Sequence, residues 1–276
     1  MVMADDAEIM PPAFFLTAPD GAGYIGTALT RGPWDDNSAH GGPVAALIGR
    51  EVELFDPDPE LATVRLTIEL LRPVPLGLLE VAATLLRAGK RVRLVGVELS
   101  SAGVVVARAV AVRVRRVPLE APSPETAEPT VLADPESCAP APSLIDSRPD
   151  RLSIVDAVEL RVINGSAREQ GPATYWFRVH VPLVDQEPIT PLTRALVAAD
   201  FGNGIASVVP IDTHVFINPE LTVHLFRLPV GEWVANDAVT WLQPGGAAVA
   251  AGTLFDQDNR CGPVASALQT LFVAAR

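Results

Sequence analysis

Asp200, Gln269, Asn218 and the run His40-Gly41-Gly42 are the positions where residue type and setting point to chemistry rather than packing. Asp200 falls on the apolar stripe of a predicted helix, where a carboxylate is costly unless it is paired or solvated. A working carboxylate in a pocket between two halves of the chain is the sharper reading. Gln269 puts a primary amide in the middle of an apolar strand, and a buried amide needs partners. His40-Gly41-Gly42-Pro43 opens another predicted helix. Backbone N–H groups at a helix start are free donors, and glycine lets a ligand approach them closely. Such donors suit a carbonyl oxygen that gains negative charge. Each position also has a plainer reading. Asp200 could end its helix near Gly202 and face water, and Gln269 could be a satisfied core amide or an edge residue. His40 could be a cap or loop contact, and Asn218-Pro219 a turn start.

An internal repeat makes these positions stand out. Leu66-Thr67-Ile68-Glu69-Leu70-Leu71-Arg72-Pro73 returns as Leu221-Thr222-Val223-His224-Leu225-Phe226-Arg227, an offset of 155 (221 − 66). Pro75-Leu76-Gly77 likewise returns as Pro229-Val230-Gly231. A shared period over half the chain means two copies of one unit. With Pro43 aligned to Pro191 (offset 148), Asp200 meets Val52; with Val106-Ala107 aligned to Val264-Ala265 (offset 158), Gln269 meets Ala111. The second helix start, Ile189-Thr190-Pro191, lacks the paired glycines. The halves would then supply different parts of one site: donors from the first, carboxylate and amide from the second. Thr67 and Thr222 match each other and read as scaffold.

The elements that must position these groups follow from periodicity. Val44, Leu47, Ile48, Val52 and Phe55 form one stripe of a helix from Pro43 to Phe55, with Pro43 suited to its first turn. A strand is expected over 24–29, then four more near 64–70, 78–88, 91–100 and 104–115. The second half repeats the plan: strands near 153–164 and 173–182, a helix from Pro191 to Phe201, then strands near 213–227, 233–243, 246–256 and 263–274. Eight prolines lie between Pro118 and Pro149, marking a linker, part of which could pack across the sheets. The predicted organisation is a unit over 1–116, a Pro-rich linker over 117–150 and a second unit over 151–276.

Composition narrows the function classes. A net charge of −12 argues against nucleic acid as a main partner. No apolar run approaches the ~18 residues of a membrane span, and the acidic start does not resemble a signal peptide, so a cytoplasmic protein is the default expectation. The two cysteines, Cys138 and Cys261, make no disulfide framework, and the four histidines lack metal-ligand spacing. No metal or redox cofactor is expected.

These features resemble the hotdog fold, an α+β architecture in which a long helix is wrapped by an antiparallel sheet. Two copies in one chain resemble the double-hotdog acyl-CoA thioesterases of the thioesterase II family. Asn37-Ser38-Ala39-His40-Gly41-Gly42-Pro43-Val44-Ala45-Ala46-Leu47 is similar to the Asn/His-Gly-Gly entry of many hotdog thioesterases. Ala198-Ala199-Asp200-Phe201 is similar to the Asp-bearing helix, and Val264-Ala265-Ser266-Ala267-Leu268-Gln269 to the Gln-bearing last strand. The resemblance implies hydrolysis of acyl-CoA by a water held by an Asp, a Thr and a Gln. Asp200 and Gln269 match, while the Thr position falls on Asn218, a departure from the family pattern. Gly41 and Gly42 would bind the carbonyl oxygen, beside His40. Many single-hotdog thioesterases carry an acid nine residues after the His; Gly49 stands there in this chain. Sheet edges left over by the two-unit pseudo-dimer could pair two chains as a homodimer. Two other readings stay open. One is a double-hotdog dehydratase or hydratase using His40 and Asp200, although no His follows Asp200 at the spacing that resemblance implies. The other is a non-catalytic acyl-CoA or lipid-binding protein.

Overall fold

A computed structural model describes residues 9–118, 130–142, 151–258 and 262–276. Among the described residues the chain forms fourteen strands and three α-helices. The strands are β1 (Phe15–Thr17), β2 (Tyr24–Gly26), β3 (Leu61–Leu70), β4 (Gly77–Ala88), β5 (Val92–Ser101), β6 (Val104–Arg115), β7 (Ala139–Pro140), β8 (Val158–Asn164), β9 (Ala173–Val179), β10 (His214–Ile217), β11 (Glu220–Leu225), β12 (Trp233–Leu242), β13 (Ala247–Asp256) and β14 (Ala265–Ala275). The helices are α1 (Gly41–Phe55), α2 (Pro191–Asp200) and α3 (Gly202–Ile205).

All paired strands run antiparallel in one sheet, ordered β1-β2-β4-β5-β6-β3-β11-β14-β13-β12-β9-β8-β7, with β10 also on β14. The order mirrors itself about the β3–β11 junction. There the two copies of the repeated motif pair with each other, and Thr67 lies directly opposite Thr222. The Thr222 hydroxyl reaches the Thr67 hydroxyl at 3.4 Å. A residue repeated at matched positions and paired with its own copy marks the pseudo-twofold axis. The scaffold reading of this pair follows from that placement. The outermost strands are short: β1 has three residues and β7 two, one of them Pro140.

Both helices pack on the inner face of the sheet. Val44, Leu47, Ile48 and Val52 of α1 are fully buried, each contributing about 1.5–3 kcal/mol of apolar transfer. Gly49 lets α2 approach α1 closely, since a Cβ there would lie 2.5 Å from Leu196 Cδ1. A Cβ on Gly41 would instead meet Asp200. The start of α1 therefore meets the end of α2, and the helices run antiparallel.

Several expected boundaries shift. The expected strand over 24–29 stops at Gly26 and a 3-10 turn takes Ala28–Thr30, capped by the Thr27 hydroxyl. The strand expected over 213–227 is two, broken at Asn218-Pro219, because proline has no N–H to continue a ladder. The one expected over 153–164 begins as a 3-10 turn, Ile154–Asp156. A long helix was expected in each half, but α2 has ten residues against fifteen in α1. After Asp200 the Asn236 amide donates to the Ala198 carbonyl at 2.9 Å and the Gln269 amide to the Asp200 carbonyl at 3.1 Å. Those side chains replace the helix's next turn, and the glycine-rich Gly202–Ile205 continues as a separate short helix. Part of the Pro-rich linker packs on the second half: β7 pairs with β8, and the Trp176 indole donates to the Ala133 carbonyl at 2.9 Å. Cys138 is half-buried and unbridged. Cys261 and most of the linker lie outside the described residues.

Candidate functional site

Antiparallel packing of α1 and α2 carries the N-terminal donors of one helix to the C-terminal carboxylate of the other. Asp200, on the last turn of α2, is only 4% exposed. Its Oδ1 accepts from the Asn218 amide at 2.8 Å and from the Gln269 amide at 2.9 Å. Its Oδ2 lies 2.9 Å from His40 Nδ1. Residues from α1's cap, α2, the β10–β11 break and β14 thus converge on one carboxylate. Charge-assisted hydrogen bonds of this kind are each worth about 1.5–3 kcal/mol, enough to hold a carboxylate where the first half has Val52.

The partners have distinct capacities. Gln269 is 1% exposed. Its amide nitrogen gives to both the main-chain oxygen and Oδ1 of Asp200, while its oxygen accepts from Asn203 N–H at 3.2 Å. Both Gln269 amide hydrogens are thus directed at Asp200 rather than into the cleft, which leaves its amide oxygen's second lone pair as the remaining acceptor. Asn218, half-buried, spends one amide hydrogen on Asp200 and keeps another. The break at Pro219, which ends β10, is what turns Asn218 inward.

His40 is the N-cap of α1, its Nδ1 accepting from Gly42 N–H at 3.1 Å. Its ring stacks on Phe201 with centroids 4.7 Å apart. A single Nδ1 cannot accept from Gly42 and donate to Asp200 at once. Gly42 N–H is therefore not a free donor while Nδ1 accepts, and the expected Gly41–Gly42 donor pair reduces to Gly41 in that state. Gly41 N–H has no acceptor among the described residues. Its Cα is so close to the carboxylate that a Cβ would fall 2.7 Å from Asp200 Oδ2 and 2.9 Å from Oδ1.

His40, Gly41, Asp200 and Asn218 line a cleft of about 420 Å³ together with Val44, Leu70, Val74, Ile211 and Phe216. Its walls are mostly apolar around one carboxylate, an arrangement suited to a substrate with a greasy tail and one polar reacting centre. Asn203 and Asn236 escaped the sequence reading. Asn203 lines the cleft, and Asn236, wholly buried, ties off α2. The signal for Asn236 was its isolation within Trp233-Val234-Ala235-Asn236, a lone amide in an apolar strand.

The arginines of the first half fall into two groups. Arg93 and Arg115 pair with Asp58, and Arg93 also with Asp56, away from the cleft, whereas Arg72 lines it. No described helix is long and apolar enough to cross a membrane.

Both halves of the chain resemble known protein domains. Residues 30–114 match the acyl-CoA thioesterase N-terminal domain and residues 135–273 the acyl-CoA thioesterase C-terminal domain. No curated protein sequence matches the chain. Among solved structures, a hotdog-fold protein from Alicyclobacillus acidocaldarius superposes with a TM-score of 0.72 at 17% identity, covering 94% of this chain and 96% of that one. A candidate thioesterase from Novosphingobium aromaticivorans gives 0.70 at 20% identity, covering 94% and 98%. An acyl-CoA thioesterase II from Mycobacterium marinum gives 0.63 at 16% identity, covering 90% and 97%. At such identities these likenesses speak to the fold, two hotdog units on one antiparallel sheet. The paired domain matches go further, and by them the chain belongs to the acyl-CoA thioesterase family.

Proposed function

We propose that the chain hydrolyses acyl-CoA thioesters with Asp200 as general base and a water as nucleophile. The observation that carries this is a buried carboxylate whose Oδ1 accepts from Asn218 and Gln269 and whose Oδ2 lies beside His40 Nδ1, in the wall of an apolar cleft. A thioester has a good leaving group, so one base, a positioned water and oxyanion donors suffice. The acyl chain would lie against Val44, Leu70, Val74 and Phe216. Asp200 takes a proton as the water oxygen bonds to the carbonyl carbon, with the spare Asn218 amide hydrogen orienting that water. Gly41 N–H receives the developing oxyanion. When the tetrahedral intermediate collapses, the C–S bond breaks, the acid is released and the CoA sulfur leaves with its electron pair. When its Nδ1 carries a proton, His40 donates to Oδ2, and Gly42 N–H is freed to join Gly41 as a second donor.

Thiol release from saturated acyl-CoAs of short to long chain, for wild type beside Asp200→Asn, tests the proposal. Turnover lost by about 10²–10⁴-fold in the variant, with the fold intact, is the expected result. Turnover that survives removes Asp200 from the chemistry. Saturable acyl-CoA binding without turnover by the wild type would instead make this a binding protein. The 2.9 Å His40–Asp200 contact also favours a second reading, hydration of an enoyl thioester by that pair. An enoyl-CoA hydration assay separates it from hydrolysis.

A further inference from the structure

A second chamber of about 520 Å³ adjoins the cleft, and Gly32, Pro33, Gly204, Ile211 and Phe216 line both. Its character is the reverse of its neighbour's. Arg31, Arg151, Arg168 and Arg276 reach it from four separate segments, along with Asp36, Glu169 and Asp212. The whole chain has 21 basic residues against 33 acidic, so four against three on one wall inverts the molecule's overall sign. Two of the arginines build the wall. Arg31 donates to the Asp36 carbonyl at 2.9 Å and to the Leu152 carbonyl, and Arg151 pairs with the Asp36 carboxylate. The other two keep donors to spare. The Arg168 guanidinium has no partner among the described residues. Arg276 lies over the Trp34 ring at 5.7 Å and uses only its Nε, on the His214 carbonyl at 3.4 Å.

We propose that this chamber receives the phosphorylated nucleotide end of coenzyme A, with Arg168 and Arg276 as the phosphate contacts. The proposal rests on the thioesterase reading. A thioester carbonyl at Asp200 with its acyl chain in the apolar cleft leaves the pantetheine arm to run outward. The adjoining chamber begins at Gly204, two residues from the start of α3, and at Phe216. Guanidinium groups with free N–H donors bind phosphate oxygens in a two-pronged geometry that a lone ammonium cannot match.

The test compares two substrates with the same acyl group, an acyl-CoA and the acyl-pantetheine thioester that lacks all phosphates. Arg168→Glu and Arg276→Glu are each expected to raise KM for acyl-CoA about tenfold or more, with kcat within twofold. The same variants should leave kcat/KM for acyl-pantetheine unchanged. Equal effects on both substrates, or on neither, overturn the assignment. Calorimetric binding of adenosine 3′,5′-bisphosphate to wild type and variants gives a readout independent of turnover. Binding weakened by each substitution supports the subsite even if hydrolysis itself fails, and undetectable or unaltered binding counts against it.

Discussion

The two ends of the α1–α2 pair are related by the pseudo-twofold and are built for opposite purposes. At one end His40, Asp200 and Asn218 meet in an open cleft, with Gln269 buried behind the carboxylate. At the other, Arg50 donates to Glu187 at 2.7 Å, to the Tyr24 hydroxyl at 2.8 Å and to Glu51, and Tyr24 in turn donates to Glu51 at 2.7 Å. Burial works against the Arg50 charge, yet the Glu187 and Tyr24 contacts outweigh it and its guanidinium titrates above the ordinary value. Burial and the Glu51 hydrogen bond likewise push the Tyr24 phenol up. With the helices aligned, Arg50 and Glu51 correspond to Ala198 and Ala199, Glu187 to Ala39, and Asp200 to Val52. Each half is thus apolar where the other is charged. One end is an ion-pair clamp between the halves, and the other presents a buried carboxylate to a cleft.

Changes at the two ends should separate rate from stability. Gly41→Ala is the sharpest intervention at the cleft. Alanine favours a helix over glycine, so the fold should hold. The new Cβ would nonetheless sit 2.7 Å from Asp200 Oδ2, and the carboxylate must turn away. A displacement of that order costs about 10²-fold in kcat, with an unchanged circular dichroism spectrum; an unaltered rate would mean Asp200 is not held where the chemistry needs it. Arg50→Met strikes the clamp. It strands Glu187 and Glu51 partly buried and should cost about 2 kcal/mol in urea unfolding, while kcat for the folded fraction stays within twofold. If activity fell instead, the two ends would not be independent. Asn218→Thr, which installs the residue the family resemblance calls for, should change kcat/KM by less than about tenfold, because Gln269 still anchors Oδ1. A much larger gain would mean that the asparagine, not the family's threonine, is the anomaly.

Most of the architecture was legible because it is periodic. The repeat pointed to two units, and alternation located the long strands β4, β5, β6, β12 and β13 to within a few residues. Asp200 and Gln269 were legible as polar residues in places their counterparts keep apolar. What escaped depends on contacts distant in sequence. Nothing local says that Gln269 spends both amide hydrogens on Asp200, or that Gly42 gives its N–H to His40. Neither the Arg168–Arg276 chamber nor the Arg50–Glu187 clamp has a local pattern, since each joins residues well over fifty positions apart. The helix break after Asp200 needed Asn236, from a strand that reads as plain core.

The short outermost strands have a bearing on how this molecule meets its own kind. With three residues in β1 and two in β7, one of them a proline, those two strands offer little ladder to extend, whereas β4 from Glu80 to Ala88 pairs with β5 on one side and with no other strand among the described residues. The broad flank of the second half is different, because Trp241, Val249, Leu268 and Phe272 stand uncovered there, between 41% and 57% exposed. An uncovered apolar face of this kind makes colloidal behaviour sensitive to substitution, and polar replacements at those four side chains should raise solubility.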